Sequence, residues 1–498
     1  MALCWGGARR SRARLLLVGL TMPRSLLAHQ LVPRLRPPLS PSPRHASVRA
    51  ADFASLGVSP PLLSQLRAMG FDAPTDPQAQ AFPAILSGDD VVLLAETGTG
   101  KTLAYALPIA QRMLERIEAE GAAAQQAVVL VPNRDLCEQV AGVIGRLFAG
   151  LPHPLSVSAL TDDAADIEAD VLVGTAATVL RYWCGPERVR WLVLDEADQL
   201  LAGSFKPAAR SSYPVEQIIA QLKRDAKQAA EREGALRKAA AYGYDEAARA
   251  ERARARAASW KASASSAKQF VVVGATMPNA GTRNAEVHVG RLFPLAVWLR
   301  GERVHREKAE LRQVFVKVEP SQRLQALRLA IKQGPPGGKL VFTNSPDTAE
   351  EVHEELGGDA KGCALFHKLL PLAERRATLE AFREGRVHTL VCTGLASRGL
   401  DLSHVTHVVQ YECAENAVEY MHRIGRTARA GSQGTATTIY TDERAELVEA
   451  LREALEGGHS MDHLFSRKRS FRKHIKRYGS AAPVDWKEIT ASADKPLR

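Results

Sequence analysis

The residues Ala95-Glu96-Thr97-Gly98-Thr99-Gly100-Lys101-Thr102 stand between the apolar run Val91–Leu94 and a helix-favouring stretch from Leu103 to Ile117. Glycines at this spacing let backbone N–H groups turn toward phosphate oxygens. Lys101 supplies a cation for β and γ phosphates, Thr102 offers a hydroxyl to a Mg2+ ion, and the helix N-terminus adds partial positive charge. Ala95 takes the place of the first glycine common in such loops. Further along, Asp195-Glu196-Ala197-Asp198 follows the apolar run Trp191–Leu194. An acidic cluster alone is most often a solvated helix end. Directly after a buried strand, in a chain with a phosphate loop, it points to chemistry. Asp195 would hold Mg2+ through water, and Glu196 would orient or deprotonate an attacking water.

Such residues must be positioned by a scaffold, and the chain alternates short β-branched runs with helical stretches. One series is Val91–Ala95, Ala127–Val131, Val171–Gly174, Trp191–Leu194 and Phe270–Val273. A second is Leu340–Thr343, Cys363–Phe366, Thr389–Cys392, Thr406–Tyr411 and Thr435–Tyr440. Near-continuous apolar strands between helices indicate parallel sheets covered on both faces. The expected fold is α/β, with two tandem domains spanning 51–300 and 301–455 and a joint near Arg300–Gln313. Ligands of such sheets lie beyond the carboxyl ends of the strands, where both motifs fall. Within the first domain, residues 221–268 are rich in Ala, Arg, Lys, Glu and Gln and read as a projecting helical insertion. A solvated spacer and an RNA-contacting arm remain alternatives for it.

The net charge of +11 is unevenly placed. Residues 1–50 hold nine Arg and no Asp, Glu or Lys, and without them 57 basic residues face 55 acidic ones. Residues 221–268 carry 12 basic and 6 acidic residues, and 461–498 carry 10 and 4, so the remaining body is acidic. Cationic appendages on an acidic body point to a polyanionic partner. The tail, 456–498, includes seven cations between Ser466 and Arg477 with Phe471 and Tyr478 interleaved. An RNA tether, a solvated tail and a nuclear address compete for it.

Six scattered cysteines without a CxxC pair argue against a zinc ribbon or disulfide framework. No run of about 18 apolar residues occurs, so neither a spanning helix nor a membrane partner is expected. Residues 1–50, rich in Arg, Ser, Leu and Pro, have the composition of an organelle transit peptide, with a candidate cleavage region at Ser47–Ala51. Mitochondrion is the expected address and chloroplast the alternative.

Taken together, the motifs resemble those of the DEAD-box ATP-dependent RNA helicases of helicase superfamily two, across roughly residues 53–445. Phe53, Gly70-Phe71 and Pro74-Thr75-x-x-Gln78 look like the family's adenine-reading motif. Pro132-Asn133-Arg134-Asp135-Leu136 looks like an RNA-backbone motif, and Gly274-Ala275-Thr276 like the motif coupling hydrolysis to strand separation. Val341–Ser345, Thr393–Asp401 and His422–Gly431 match the second domain's motifs. The resemblance implies two RecA-like domains, ATP and Mg2+ as ligands, and RNA as partner to a monomer, with ribonucleoprotein partners conceivable. It places Phe71, Thr75 and Gln78 at adenine, with Gln78 pairing both edge groups and Phe71 stacking. It places Gly399 and Asp401 at the nucleotide, with Asp401 on the ribose, and makes Arg426 and Arg429 arginine fingers, three residues apart on one helical face.

Several positions depart from the family pattern. The serine usual at Gly274 and the aspartate usual at Gly394 are missing. Asn133 replaces a threonine, and Leu372 a glutamine, while Arg375 is kept. Residues 173–178 lack a following Gly-Arg pair, and the glycine pair near Ala159–Asp163 is absent. The ATP residues are intact and the RNA groove is altered. Restoring Gly274→Ser or Gly394→Asp is expected to raise RNA-stimulated turnover. The leading function is an RNA-dependent ATPase that locally unwinds duplexes, with ribosome assembly or rRNA maturation in an organelle as its role. An ATP-gated RNA clamp and a phosphate-loop enzyme of small-molecule metabolism are the alternatives.

Overall fold

The computed structural model describes residues 52–120, 125–161, 166–182, 185–201, 213–241, 268–277, 285–301, 310–394, 404–429 and 431–456, with 396, 402 and 464. Seven strands form the first sheet: β1 (Val91–Leu94), β2 (Gln126–Leu130), β3 (Val157–Leu160), β4 (Val171–Gly174), β5 (Val189–Leu194), β6 (Gln269–Gly274) and β7 (Val297–Arg300). Their order is β3-β4-β2-β5-β6-β1-β7. Six strands form the second: β8 (Leu311–Lys317), β9 (Gly338–Phe342), β10 (Cys363–Phe366), β11 (Thr389–Cys392), β12 (Val405–Gln410) and β13 (Gly434–Tyr440), in the order β10-β11-β9-β12-β13-β8. All pairings are parallel.

Successive strand side chains point to opposite faces, and both faces are covered by helices. Val91, Leu93, Val129, Val193 and Val271 pack with Leu62, Phe82, Tyr105 and Ile144 on one face. Val92, Leu94, Val128, Leu192 and Val272 pack with Ile218, Val289 and Phe293 on the other. In the second sheet, Leu340, Phe342, Leu390 and Val408 join Phe382, Tyr420 and Leu451, while Val341, Val391 and Val409 join Leu327 and Val352. That two-sided burial is why the central strands read as unbroken apolar runs. Truncating Leu93 to Ala would leave a cavity costing about 2–5 kcal/mol.

Three strands are not anticipated by the apolar runs: β3, β7 and β8. Each lies at the edge of its sheet. Their burial alternates or is partial, so polar residues such as Ser158, Arg300, Arg312 and Gln313 interrupt the signal. The expected joint at Arg300–Gln313 is accordingly trimmed from both sides, by β7 ending at Arg300 and β8 starting at Leu311. The helix expected from 221 starts at Pro214, and its first turns, with Val215, Ile218, Ile219 and Leu222, belong to the core. Residues 242–267, 1–51 and 465–498 lie outside the described residues, and with them most of the insertion, the address segment and the basic stretch of the tail. Among the described residues, no helix is long and apolar enough to cross a membrane.

Candidate active site

The adjacent strands β5, β6 and β1 deliver their carboxyl ends to one place. After β1, the Ala95 N–H bonds the Gly274 carbonyl of β6, which anchors the loop's first residue. Gly98 and Gly100 have φ of +84° and +74°, the left-handed region that glycine enters without penalty. A Cβ on Gly100 would also collide with Gln78 Nε2. The Thr99 hydroxyl donates to the Glu96 carbonyl, and Lys101 Nζ donates to the carbonyls of Ala95 and Glu96, each at 3.2 Å. Lys101 opens the helix Lys101–Glu120, with Thr102 in its first turn.

The adenine motif is tied to this loop. Thr75 precedes the helix Asp76–Leu86, and its hydroxyl donates to the Thr99 carbonyl at 2.8 Å. The Gln78 amide is turned inward: Oε1 accepts from Thr75 N–H and Nε2 donates to the Gly100 carbonyl. The structure thus places Gln78 against the phosphate loop. Phe71 is exposed at 40% and offers a free ring, whereas Phe53 is buried in the first core. Phe53 anchors the segment and does not present a face to a ligand.

Asp195 directly follows β5, and its N–H extends the ladder to the Leu130 carbonyl. Its two carboxylate oxygens are each held: Oδ1 by the Glu196 N–H at 2.9 Å, Oδ2 by the Tyr105 hydroxyl at 3.0 Å. Burial first, and the neighbouring Glu196 second, push the Asp195 carboxyl above its ordinary range, against the pull of Lys101. Burial and the Asp195 charge push the Tyr105 phenol well above its ordinary value. Glu196 sits at φ +53°, a conformation costing a non-glycine residue about 1–2 kcal/mol. That turn aims Glu196 away from the strand while Asp195 stays in register. Thr102, Asp195 and Glu196 are hard oxygen donors of the kind Mg2+ accepts, so the residues fit that ion.

Asp198 is a junction. The Thr276 hydroxyl donates to its Oδ2 at 2.6 Å, and His422 Nε2 lies 3.3 Å from the same oxygen. The missing serine at Gly274 therefore does not leave Asp198 without a hydroxyl from this motif. Thr276, two residues on and 1% exposed, supplies it.

The second domain reaches the loop through the segment after the helix Ala417–Ile424. The Thr97 hydroxyl donates to the Gly425 carbonyl at 3.0 Å, and a Cβ on Gly425 would collide with that hydroxyl. Arg426 is 2% exposed, with Nε donating to the His422 carbonyl. Arg429 Nε donates to the Gly425 carbonyl, and its Cγ lies 3.1 Å from where a Cβ on Gly98 would be. The two arginines do not share a helical face, as their spacing suggested. The helix ends at Ile424, and Ala428 turns the chain at φ +52°, which carries Arg429 to Gly98. Gly399 and Asp401 lie outside the described residues.

Two cross-domain ion pairs stand apart from this centre: Arg375 with Asp135, and Arg376 with Glu138. They join the helix Leu372–Arg383 to the helix Arg134–Phe148. Asn133 caps the latter by accepting from Leu136 N–H at 2.8 Å, so the threonine replaced there is not missed as a cap. The described cysteines, 137, 363, 392 and 413, are buried free thiols whose acidity burial suppresses.

The family model for the DEAD/DEAH box helicase matches residues 75–283, and that for the helicase conserved C-terminal domain matches 322–431. The chain is similar to DEAD-box ATP-dependent RNA helicase 22 of Oryza sativa subsp. japonica, 34% identical over 490 residues, covering 86% of this chain and 85% of the relative. The protein of the same name in Arabidopsis thaliana is 33% identical over 486 residues, covering 85% and 83%. Among solved structures, S. cerevisiae Dbp5 bound to RNA and ADP BeF3 superposes with a TM-score of 0.62 at 24% identity, covering 82% of this chain and 94% of that one. Mss116 bound to ssRNA and UDP-BeF gives 0.61 at 19% identity, covering 87% and 83%. At these identities the structures establish the fold, two RecA-like domains. Motifs, family models and full-length relatives converge: this chain belongs to the DEAD-box ATP-dependent RNA helicases.

Proposed function

We propose that the chain hydrolyses ATP at the Ala95–Thr102 loop and uses the resulting opening and closing of its two domains to remodel RNA duplexes. The observation that carries this reading is the contact of Thr97 with Gly425, which sets the arginine-bearing segment of one domain directly on the phosphate loop of the other. Lys101 leaves the Ala95 and Glu96 carbonyls for phosphate oxygens. Glu196 takes the proton of the attacking water. Arg426 and Arg429 stabilise charge developing on the γ-phosphoryl group, a contribution worth on the order of 10³–10⁵ in rate for arginine fingers. Thr102 and Asp195 hold Mg2+, which when bound neutralises charge on the phosphate oxygens. Phe71 stacks on adenine, and the Gln78 amide exchanges its internal bonds for the base edge.

Because the arginines come from the second domain, hydrolysis requires closure, and closure forms the groove across both domains that holds single-stranded RNA. A strand bent in that groove cannot keep its duplex partner. RNA-stimulated ATP turnover with strand displacement tests this reading. Turnover that RNA does not stimulate would contradict it.

The further reading concerns place. The Arg-rich, acid-free composition of residues 1–50 supports delivery to an organelle, mitochondrion before chloroplast, with structured rRNA as substrate in ribosome assembly. A reporter fused to residues 1–50 should enter an organelle and be cut near Ala50. A cytosolic reporter still carrying those residues would contradict it.

A further inference from the structure

We propose that Glu419 is a positioning residue: its carboxylate, seated where position 394 has no side chain, holds the buried Arg423 guanidinium and so aims the segment bearing Arg426 and Arg429 at the phosphate loop. The inference rests on the assignment of those two arginines to the γ-phosphoryl group. Arg423 lies one turn beyond Glu419 on the helix Ala417–Ile424, with side-chain exposures of 1% and 16%. An arginine cannot shed its proton, so at this depth its charge must be paired and hydrogen-bonded. One terminal nitrogen donates to Glu419 Oε1 and to Asn344 Oδ1, each at 2.7 Å, and the other donates to the Glu412 carbonyl at 2.8 Å. Of the three acceptors, Glu419 alone brings a negative charge.

Asn344 stands two residues after β9, and Glu412 two residues after β12. The Asn344 N–H donates to Glu412 Oε2 at 2.7 Å, so these two loops are joined to each other as well as to the guanidinium. Arg423 thereby pins its helix to the carboxyl ends of two central strands. Gly394, two residues after β11, gives the carboxylate its room: a Cβ there would lie 3.2 Å from Glu419 Oε1. Gly394 does not occupy the left-handed region, so the position demands space and not a special backbone. The pinned helix ends at Ile424, and the cross-domain contacts follow from that end. His422 Nε2 is 3.3 Å from Asp198 Oδ2, and the Gly425 carbonyl accepts from the Thr97 hydroxyl at 3.0 Å. An exposed pair at four-residue spacing contributes little. This one neutralises a buried cation, and its loss would slacken the helix end from which the arginines reach the other domain.

The test is steady-state ATP hydrolysis by the full chain at saturating RNA, with binding of a fluorescent ADP measured without RNA. Glu419→Ala should lower kcat on the order of 10–100-fold, the effect of misplacing a group that acts on the reacting centre. ADP affinity should stay near that of the parent, because the phosphate loop and adenine motif belong to the first domain. Relocating the acid separates positioning from packing. Gly394→Asp crowds Glu419 in the parent and should slow turnover there. In the Glu419→Ala background the same aspartate enters the emptied space, faces Arg423 and should restore most of kcat. That reversal of sign is the expected result. A parent-like kcat in Glu419→Ala, or a Gly394→Asp that restores nothing in that background, would overturn the proposal. Should Glu419→Ala lose stability, Glu419→Gln keeps the shape and removes the charge, and a parent-like kcat there is equally fatal. Arg426→Ala is the companion variant. If it leaves turnover unchanged, the assignment of the arginines fails. If it slows turnover and Glu419→Ala does not, the role of Glu419 alone is refuted.

Discussion

Arg375 of the second domain donates to Asp135, which lies in the first turn of a helix of the first domain, with side-chain exposures of 12% and 3%. A pair this buried binds strongly to its own geometry and punishes the loss of either member. The clasp also uses the one residue retained where Leu372 departs from the family pattern. Closure of the domains, and not folding of either, is what it stabilises.

Arg375→Ala should therefore leave Asp135 buried without its cation and cost the closed form about 2–5 kcal/mol. RNA affinity measured with a non-hydrolysable ATP analogue should fall accordingly, while binding of ADP without RNA should hold. The swap Asp135→Arg with Arg375→Asp should recover only part, because an arginine there faces the positive end of a helix. A parent-like affinity in Arg375→Ala would show that the clasp does not contribute to closure.

Restoring the missing acid at Gly394 should lower, not raise, RNA-stimulated turnover. A Cβ there lies 3.2 Å from Glu419 Oε1, which already bonds the Arg423 guanidinium at 2.7 Å. A second carboxylate would be repelled, and Gly394→Asn, uncharged, should be milder. Gly274→Ser should stay close to the parent, because Thr276 already bonds Asp198. The structure reverses the first expectation and removes the motive for the second. Steady-state ATPase at saturating RNA decides both, and a rise in Gly394→Asp would reinstate the sequence-based view.

His407 should make the second domain acid-sensitive. Burial first, and Lys339 second, push its imidazole down to about 4. In the unfolded chain a histidine titrates near 6.5. Between these values the unfolded chain takes up a proton that the folded domain refuses. Stability is thus intact above about 6.5 and lost as pH falls toward 4, by roughly 2 kcal/mol at pH 5. The urea midpoint of the β12 and β13 segments, followed by pulsed hydrogen exchange, should drop between pH 7.5 and pH 5. His407→Asn should remove most of that drop, and an equal drop in the variant would contradict the assignment.

How much of this was legible in the sequence depends on burial. Central strands such as β1 and β5 are covered on both faces, so Val91–Leu94 and Trp191–Leu194 read unmistakably. Edge strands β7 and β8 are covered in part, and their polar residues hid them. The loop and Asp195-Glu196 were legible because their types and strand context are specific. Tyr105 was not, because an aromatic on the apolar side of a helix reads as core. Neither was the Asp135–Arg375 pair, whose members are 240 residues apart. The arginines illustrate the limit of spacing. Arg426 and Arg429 read as one helical face, but Ala428 leaves the helical region and only the backbone reveals it.

The most direct measurement is single-turnover ATP hydrolysis and displacement of a short RNA duplex, with the parent and Glu196→Gln compared side by side. The account expects the parent to hydrolyse ATP faster with RNA present and to release the strand. Glu196→Gln should still bind ATP and RNA but hydrolyse on the order of 10²–10⁴ more slowly, the range for a lost general base. Hydrolysis by Glu196→Gln at the parent's rate, or a parent whose turnover ignores RNA, would contradict it.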